Sequence, residues 1–324
     1  MLPRFFVGGD RMKILCTYNY GLEEFLRWEQ LGFEVQYIPE HEIDEATPLA
    51  NVDILICYSP FKHMAIQNLK GIKYILLSSI GFDQVPKELL NDPNIQITNN
   101  HGGYSPPIGE WIVMMLLMGF KKANRLIAYH QNRKWGLETD LLELIDKRIL
   151  FIGTGTLAQH AAKRLQGFDC EIIGVNTLGK PLPNFKRCVP WTNLKDEIEM
   201  ADAVVCCLPL TQKTYRLIDE DMLCAMRASS IFINVSRGAV LDEEALIRHL
   251  SEGKFRFVAL DVFETEPLTA EHALWKFPQV LVTSHQSWVS ERRNMRRLET
   301  IRYNLESIAL GRALKHTVDR ERGY

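Results

Sequence analysis

Residues 149–158 constrain the fold more than any other stretch of this chain. They read I-L-F-I-G-T-G-T-L-A, a run of strand-forming apolar residues that enters a glycine turn and continues as a helix. In a Rossmann turn the first glycine makes the tight turn, the second lets the backbone approach a pyrophosphate, and the third position lets helix and strand pack closely. With Gly153, Gly155 and Ala158 at these positions, the segment predicts a dinucleotide site. The other residues of this predicted site are Thr154, Thr156 and Leu157.

Strand and helix patterns alternate on both sides of this turn. The strand patterns before it lie at residues 13–18, 34–38, 54–57, 73–77 and 95–98, and those around and after it at 148–152, 171–175, 203–208, 231–235, 257–260 and 280–283. Strands that alternate with helices predict parallel sheets covered by helices on both faces. The predicted fold class is therefore α/β, with two doubly wound, Rossmann-like domains.

The order of these patterns also predicts how the chain is divided. A length of 324 residues exceeds what one hydrophobic core usually supports, so two domains are expected. A buried helix is predicted at residues 108–129, after the break at Pro106 and Pro107. A final helix at residues 291–310 is expected to dock on the first domain through an apolar face of Met295, Leu298, Leu305 and Ile308. The prediction is a substrate domain at residues 1–105, with 288–324 returning to it, around a dinucleotide-binding domain at 106–287.

Composition limits the partners and the compartment. The net charge of −2 gives no electrostatic reason to expect nucleic acid or a membrane as a partner. The seven cysteines show neither a CxxC pair nor His/Cys metal spacing, which favours a reducing compartment and no metal site. The longest apolar run, residues 111–120, is shorter than a membrane span, and residues 1–11 lack the order of a secretory signal. We therefore expect a cytoplasmic protein with a small-molecule substrate, and we assign no function to residues 1–11.

The end of the strand after the glycine turn bears on cofactor choice. An acidic residue for the ribose 2′-hydroxyl is expected there, roughly 20 residues after the turn, but the chain has Asn176, followed by Thr177 and Lys180. An amide does not repel a 2′-phosphate, and a lysine can pair with one. The sequence therefore favours NADPH, or use of both cofactors, over strict use of NADH. The alternative for Asn176 is an Asx turn after the strand.

Three side chains after later strands suit the reduction of a 2-oxo acid. Such a reaction needs a cation for the substrate carboxylate and a proton donor for its carbonyl oxygen. Arg237, in N-V-S-R-G, is the expected carboxylate ligand, and His285 is the expected proton donor. Glu266, in D-V-F-E-T-E-P, is the expected partner that keeps the imidazole charged, and Asp261 is expected to orient the nicotinamide carboxamide. The alternatives are a structural ion pair for Arg237 and a loop cap for Glu266.

These motifs closely resemble those of the D-isomer-specific 2-hydroxyacid dehydrogenase family. The resemblance runs from about Lys13 to Leu314 and includes I-G-T-G-T-L-A, C-L-P-L-T-Q-K-T, I-N-V-S-R-G-A-V-L-D-E-E-A-L, D-V-F-E-T-E-P and the late S-H, in the family's order. It implies that Arg237, Glu266 and His285 are the catalytic set. In that family the histidine donates the proton during reduction, the glutamate supports it and the arginine holds the substrate.

The resemblance implies further binding residues. Residues 78–83, S-S-I-G-F-D, correspond to the loop whose N–H groups, around Ile80 and Gly81, bind the substrate carboxylate. The alternative for this stretch is an ordinary glycine turn. The residues expected on the cofactor side are Cys207, Leu208, Pro209, Thr214, Val235 and Ser236. A homodimer and a discontinuous substrate domain are also family expectations.

Two features bear on the expected substrate, and the first of them departs from the family pattern. After His285 the chain has Gln286-Ser287-Trp288 in place of small residues, so Trp288 is expected to narrow or reshape the substrate pocket. The arginines at 292, 293, 296 and 297 are interpreted as a solvated helix face, with a phosphorylated substrate as the alternative.

The sequence thus favours an NAD(P)H-dependent enzyme that interconverts a 2-oxo acid and a D-2-hydroxy acid. One alternative is a nucleotide-sensing binding protein of the same fold without turnover, similar to the corepressors that bind nucleotide. Intact Arg237, Glu266 and His285 count against it. Another is a formate dehydrogenase, for which no clear amide gate is found in the first domain.

Overall fold

The structure is a computed structural model that describes residues 11–47, 49, 51–69 and 71–320. The chain divides into two compact units at residues 104/105 and 289/290. Unit 1 is formed by the first and last parts of the chain, and unit 2 by the middle part. Apart from residue 11, the segment 1–11, for which no function is predicted, lies outside the described residues.

Before residue 104, unit 1 has the strands and α-helices β1 (Lys13–Cys16), α1 (Leu22–Gln30), β2 (Glu34–Tyr37), β3 (Ile54–Cys57), β4 (Tyr74–Leu77), α2 (Lys87–Leu90) and β5 (Gln96–Thr98). The five strands form a parallel sheet with the order β2-β1-β3-β4-β5. Successive side chains of a strand point to opposite faces. Leu15 and Leu55 therefore join a core on one face, whereas Ile14 and Ile54 pack with Trp28 of α1 on the other. Burial of both faces is what a parallel sheet requires.

The strands and α-helices of unit 2 are α3 (Ser105–Phe120), α4 (Ala123–Gln131), β6 (Arg148–Ile152), α5 (Thr156–Leu165), β7 (Glu171–Asn176), β8 (Arg187–Pro190), α6 (Leu194–Met200), β9 (Ala203–Cys206), α7 (Glu220–Ala225), β10 (Ile231–Asn234), α8 (Glu243–Ser251), β11 (Phe257–Leu260) and β12 (Val280–Val282). Its seven strands form a parallel sheet with the order β12-β11-β10-β9-β6-β7-β8. The chain moves outward from β6 to β8 and then returns to β9. The strand order therefore switches between β6 and β9, where doubly wound sheets bind ligands.

The predicted α/β class with two parallel sheets is confirmed, and β8 is the strand that the sequence patterns missed. This edge strand is half-buried and reads Arg-Cys-Val-Pro, so it lacks the continuous apolar run of the central strands. A proline is tolerated there because an edge strand leaves some of its N–H groups without a ladder partner.

The single helix predicted at residues 108–129 is wrong, because the chain forms α3 and α4 with a break between them. Lys122 at the break has a left-handed backbone, with φ of 47°. The Arg256 guanidinium accounts for the end of α3, since it donates to the carbonyls of Gly119 (3.2 Å) and Phe120 (3.3 Å). A cation that satisfies the last carbonyls of a helix stabilises its end.

The final helix, α9 (Arg293–Ala309), packs on the unit 1 sheet through Ile301, Leu305 and Ile308. Two details of the predicted helix are wrong. Met295, expected on the apolar face, is 52% exposed, and Arg297, expected on a solvated face, is only 7% exposed. None of the described helices is long and apolar enough to cross a membrane.

Candidate active site

The glycine turn after β6 has the geometry that a pyrophosphate needs. Gly153 has φ of 91°, and a Cβ atom there would lie 2.9 Å from the carbonyl oxygen of Cys207, so only glycine fits. A Cβ atom at Gly155 would meet nothing within 4 Å, which leaves the backbone open to a ligand. Gly155 has no side chain to cap α5, so the first N–H groups of that helix are available to an anion. Ala158 is fully buried beneath the turn.

Asn176, at the end of β7, closes the loop 176–180. Its Oδ1 accepts the N–H groups of Leu178 (3.3 Å) and Lys180 (2.9 Å), which is the Asx-type turn considered as the alternative. Its Nδ2 donates to the Lys180 carbonyl (2.9 Å) and to Oγ1 of Thr154 (3.2 Å), so the amide also links this loop to the glycine turn. Thr177 and Lys180 are exposed beside it.

The loop after β9 forms the opposite wall of the glycine turn. Thr214 Oγ1 donates to the Pro209 carbonyl (2.7 Å) and accepts a hydrogen bond from the Thr211 N–H (2.7 Å), so this hydroxyl stabilises the conformation of the loop 209–214. Burial raises the pKa of the Cys206 thiol to about 11 and that of the Cys207 thiol well above its usual range. Both thiols are therefore protonated at neutral pH, and their neutral form suits the wall of an apolar site.

The turn that holds Arg237 is organised by buried Asn234. The Asn234 Oδ1 accepts the N–H (3.0 Å) and Oγ (2.5 Å) of Ser236, and the Arg237 guanidinium donates to the Ser236 carbonyl (2.9 Å). The next residue, Gly238, packs against the loop that follows β11. A Cβ atom at Gly238 would lie 1.8 Å from the carbonyl carbon of Phe263, so no side chain fits between the two loops.

Glu266 and His285 form a direct pair. Oε2 of Glu266 lies 2.9 Å from Nδ1 of His285, and the two side chains are 36% and 34% exposed. Oε1 of the same carboxylate accepts the Phe263 N–H at 3.0 Å. Among the described residues, Nε2 of His285 has no hydrogen-bond partner, so the second ring nitrogen is available to a substrate.

The surroundings favour the ionised form of the Glu266 carboxyl group. Burial is the largest single influence and raises the pKa of Glu266. The hydrogen bonds from His285 and from the Phe263 N–H, together with the positive charges of His285 and Arg237, outweigh it and hold the pKa below its usual range. An ionised carboxylate at this position favours the protonated form of an adjacent imidazole.

Asp261 holds the backbone of the segment that contains His285. Its carboxylate is 1% exposed and accepts three hydrogen bonds, from Thr283 Oγ1 (2.6 Å), the Gln286 N–H (2.9 Å) and the Ser287 N–H (3.0 Å). Its carbonyl accepts the N–H of His285 at 2.8 Å. His285 itself has a left-handed backbone with φ of 47°, a conformation that such a set of bonds keeps in place.

Trp288 contacts the backbone of His285. Its Nε1 donates to the carbonyl of His285 at 2.7 Å, so the indole is tied to the segment that contains the imidazole. The departure from the family pattern at this position thus has a structural role that the sequence did not indicate. The sequence-level signal is the indole N–H, which needs an acceptor whenever a tryptophan is partly buried.

In unit 1, the 78–83 loop presents N–H groups and ties its carbonyls back. The Ile80 carbonyl accepts Nδ2 of Asn99 and the Gly81 carbonyl accepts Oγ of Ser79, both at 2.7 Å. Within the part of the chain that the structure describes, the N–H groups of Ile80 and Gly81 donate to no acceptor. Free N–H groups on successive residues are suited to an anion.

Across the described residues, no three His, Cys, Asp or Glu side chains are grouped as a metal ion would require.

Comparison with known proteins places this geometry in a family. Residues 113–287 match the family described as D-isomer specific 2-hydroxyacid dehydrogenase, NAD binding domain. A glyoxylate reductase from Thermofilum pendens is 31% identical over 264 residues, which cover 78% of this chain and 76% of that protein. The chain belongs to the D-isomer-specific 2-hydroxyacid dehydrogenase family.

Two further relatives extend the comparison. A hydroxypyruvate reductase from Thermotoga maritima is 29% identical over 264 residues, which cover 79% of this chain and 84% of the relative. The solved structure of an NADPH-dependent glyoxylate/hydroxypyruvate reductase from Sinorhizobium meliloti, in complex with NADP and sulfate, has the same fold. Its TM-score is 0.79 at 22% identity, over 97% of this chain and all of that one.

Membership in the D-2-hydroxyacid dehydrogenase family defines the reaction class. The protein is an oxidoreductase that interconverts a 2-oxo acid and a 2-hydroxy acid with a nicotinamide cofactor. The structure adds three supporting residues that the sequence patterns did not single out: Asn234, which shapes the Arg237 turn, Gly238, which seats it, and Phe263, whose N–H binds Glu266. Of these, only Gly238 had a signal in the sequence, as the glycine that follows a functional arginine.

Proposed function

We propose that this dehydrogenase reduces a small 2-oxo acid to its D-2-hydroxy acid through Arg237, Glu266 and His285. The observation that supports it most is the 2.9 Å contact between Nδ1 of His285 and Oε2 of Glu266, with Nε2 left without a partner in the described structure. Histidine held in this way is a proton donor near neutral pH.

In this mechanism the nicotinamide cofactor, when bound, supplies the hydride that is added to C2 of the substrate. The guanidinium of Arg237 binds the substrate carboxylate, which directs the carbonyl oxygen toward a proton donor. Nε2 of His285 donates its proton to that oxygen as C2 is reduced. Glu266 stabilises the imidazolium before the transfer, and His285 then regains its proton from solvent. In the reverse direction neutral His285 accepts the hydroxyl proton.

We propose that the N–H groups of Ile80 and Gly81 in unit 1 also bind the substrate carboxylate. The hydrogen bonds that tie back the carbonyls of this loop support this role, as does the lack of acceptors for these two N–H groups in the described structure. Unit 1 is accordingly proposed as the substrate domain and unit 2 as the dinucleotide-binding domain, with the glycine turn, Val235 and Ser236 on the cofactor side.

We propose a preference for NADPH. Residue 176 is an amide rather than a carboxylate, so nothing at the end of β7 repels a 2′-phosphate. The exposed side chains of Thr177 and Lys180 are near enough in sequence to bind that phosphate, and a structure with this fold was solved with NADP. Asp261 is proposed to contribute to the nicotinamide site through the backbone that it holds rather than through a free carboxylate.

The proposed substrates are glyoxylate and hydroxypyruvate. The named relatives act on them, and Trp288 is expected to limit larger side chains at C3.

We also propose a homodimer, since unit 2 exposes large apolar side chains around α4 and the segment after it. These side chains are Leu126, Ile127, Trp135, Leu137, Leu141 and Ile145. Several large apolar side chains exposed within one stretch of chain are more than the scattered single ones usual on a monomer, which supports an interface there.

The experiment is an initial-rate panel with NADPH and with NADH against glyoxylate, hydroxypyruvate, pyruvate and phenylpyruvate. We expect turnover on the two smallest polar substrates and a higher kcat/KM with NADPH. Cofactor binding without turnover on any substrate would contradict the reductase and favour the nucleotide-sensing alternative. Equal kcat/KM for both cofactors would contradict only the NADPH preference.

A further inference from the structure

Unit 1 contains a buried arginine for which the described structure provides no carboxylate partner. The guanidinium of Arg297, on α9, donates from Nε to the hydroxyl of Tyr104 at 2.9 Å. Its central carbon lies 5.2 Å from the ring centre of Tyr18 and 5.8 Å from that of Tyr104. Taking a guanidinium out of water is costly, and within the described ranges no acidic side chain lies within ion-pair distance to offset that cost. A gain in folding stability therefore does not explain why Arg297 is buried, and a functional role of its charge is the alternative.

Tyr104 connects this charge to the 78–83 loop. Its hydroxyl accepts from Arg297 and donates to the Ser78 carbonyl. Burial raises the pKa of Tyr104 by more than the charge of Arg297 lowers it, so the hydroxyl keeps the proton that it donates. Asn100 makes a second connection, since its Nδ2 donates to the Arg297 carbonyl (3.1 Å) and its N–H to the Ser79 carbonyl (2.7 Å).

All four carbonyls from Ser78 to Gly81 therefore accept hydrogen bonds from within unit 1. The donors are Tyr104 Oη, Asn100 N–H, Asn99 Nδ2 and Ser79 Oγ. In a trans peptide the C=O and the following N–H point in opposite directions. Carbonyls held toward the protein thus leave the N–H groups of the next residues directed away from it. A donor on each carbonyl also polarises its peptide and strengthens that peptide's N–H as a donor.

We propose that Arg297 and Tyr104 are positioning residues that set the affinity of the 78–83 loop for the substrate carboxylate. Arg297 polarises the Tyr104 hydroxyl, and Tyr104 fixes and polarises the Ser78–Ser79 peptide at the start of the loop. The positive charge of Arg297 adds a favourable potential for a bound anion. This inference rests on the proposed function, in which the loop binds a carboxylate.

The test is Tyr104→Phe in the full-length protein, with two measurements. The first is the KM for glyoxylate at saturating NADPH. The second is the Kd of oxamate, an unreactive analogue with the same carboxylate, in the presence of NADPH by calorimetry. We expect both values to rise about 5–10-fold, the value of one ordinary hydrogen bond, because Tyr104 acts on the anion through the Ser78–Ser79 peptide and not directly. The kcat should fall by less than about threefold. The Kd of NADPH should stay within about twofold of wild type, since the proposed cofactor residues lie in unit 2.

Tyr74→Phe is the matched control. Tyr74 begins β4, the strand that leads into the loop, and its hydroxyl makes no hydrogen bond among the described residues. The same loss of a hydroxyl there should leave every value within twofold. Unchanged glyoxylate KM and oxamate Kd in Tyr104→Phe would overturn the inference and leave the reductase intact. An equal loss of NADPH affinity would also overturn it, since that result indicates general damage.

A second pair of variants keeps the inference testable if Tyr104→Phe folds poorly. Arg297→Met removes the charge at similar length and should raise the oxamate Kd severalfold, whereas Arg297→Lys should restore part of the affinity. No difference between them would overturn the role of the charge. A wild type that binds oxamate without turning over glyoxylate would contradict the proposed reaction alone. A wild type that does neither would overturn both.

Discussion

Asp261 and Glu266 are two carboxylates in the same segment after β11, and the structure uses them in opposite ways. Asp261 is 1% exposed, and both of its carboxylate oxygens accept hydrogen bonds from the segment 283–287. The Glu266 side chain is 36% exposed and directs one oxygen to the imidazole of His285. The first carboxylate therefore fixes the backbone of the segment that contains His285, and the second contacts the imidazole ring of His285.

Because of this difference, we expect one carboxylate to contribute mainly to folding stability and the other mainly to the reaction. A buried carboxylate with every bond satisfied cannot be changed without leaving donors unpaired, so its loss affects folding and activity together. A half-exposed carboxylate exchanges its partners with water at little cost, so its loss affects mainly the protonation of His285. Variants at the two positions should therefore divide into two classes.

The largest effect is expected from Gly238→Ala, which disturbs the loop that contains both carboxylates. The new Cβ atom would lie 1.8 Å from the Phe263 carbonyl carbon, so one loop must move. We expect a loss of about 3 kcal/mol of unfolding free energy and a kcat below about 1% of wild type, because both Arg237 and Glu266 are displaced. Urea unfolding and initial rates measure these changes. Gly167→Ala, where a Cβ atom meets nothing within 4 Å, is the control, and similar effects in both would refute the close-contact argument.

Asp261→Asn should come next, with loss of both stability and activity. The amide retains one acceptor oxygen but places an N–H₂ group against a backbone N–H of the segment that holds His285. We expect a cost of about 2–3 kcal/mol in urea unfolding and a fall in kcat of about 100-fold. Asp146→Asn, at an exposed position, should change neither. A variant as stable as wild type would show that the three hydrogen bonds to Asp261 do not hold the segment.

Glu266→Gln should lower activity while stability stays nearly unchanged. We expect kcat to fall about 10–100-fold, with a change in unfolding free energy below about 1 kcal/mol because the pair is partly exposed. Glu271→Gln, an exposed change in the same loop, is the control and should leave kcat unchanged. A kcat in Glu266→Gln within about twofold of wild type would contradict the role of Glu266.

The lowered pKa of Glu266 also sets the direction of its pH effect on stability. A carboxyl group whose pKa is lower in the folded state stabilises the fold above its unfolded pKa, and this contribution is lost as pH falls through the folded value. Wild type should therefore lose more stability on acidification than Glu266→Gln does. Parallel pH–stability curves for the two proteins would count against an ionised Glu266.

The smallest effect is expected from Trp288→Phe. It removes the indole N–H that donates to the His285 carbonyl and keeps an aromatic ring at position 288. We expect kcat for glyoxylate to fall about 2–5-fold, the value of one neutral hydrogen bond, and the ratio of phenylpyruvate to glyoxylate activity to rise. Trp275→Phe removes a similar bond, to the Thr269 carbonyl, and should change neither value. A lower relative activity on phenylpyruvate would refute the view that Trp288 limits substrate size.

The sequence predicted the fold class because its signals are local. The glycine turn and the apolar strands show in residue type and spacing alone, and the structure has them within one or two residues of the predicted bounds. The break between α3 and α4 was not predicted, because it depends on Arg256, which is more than a hundred residues away in the chain. The edge strand β8 was missed because half-buried strands do not need an apolar run.

Sequence-based prediction of the site was likewise limited to features with a local signal. Motif positions predicted which residues lie on the loops after β10, β11 and β12, and the roles assigned to them remain predictions. The burial of Arg297 ran against its prediction as a solvated residue, because tyrosines distant in sequence surround it. The expectation that Asp261 orients the nicotinamide carboxamide stays a prediction, and the sequence did not indicate that its three donors all come from the segment 283–287. Such contacts follow from tertiary packing and have no signal in local sequence.

The most direct test of the central claim is a single-turnover measurement of NADPH oxidation by glyoxylate in wild type and in His285→Asn. Asparagine is chosen because it adopts the left-handed backbone of His285 readily and cannot act as the acid. We expect rapid oxidation in wild type and a rate at least about 1000-fold lower in the variant, with NADPH binding unchanged. A variant rate within about tenfold of wild type would contradict proton donation by His285.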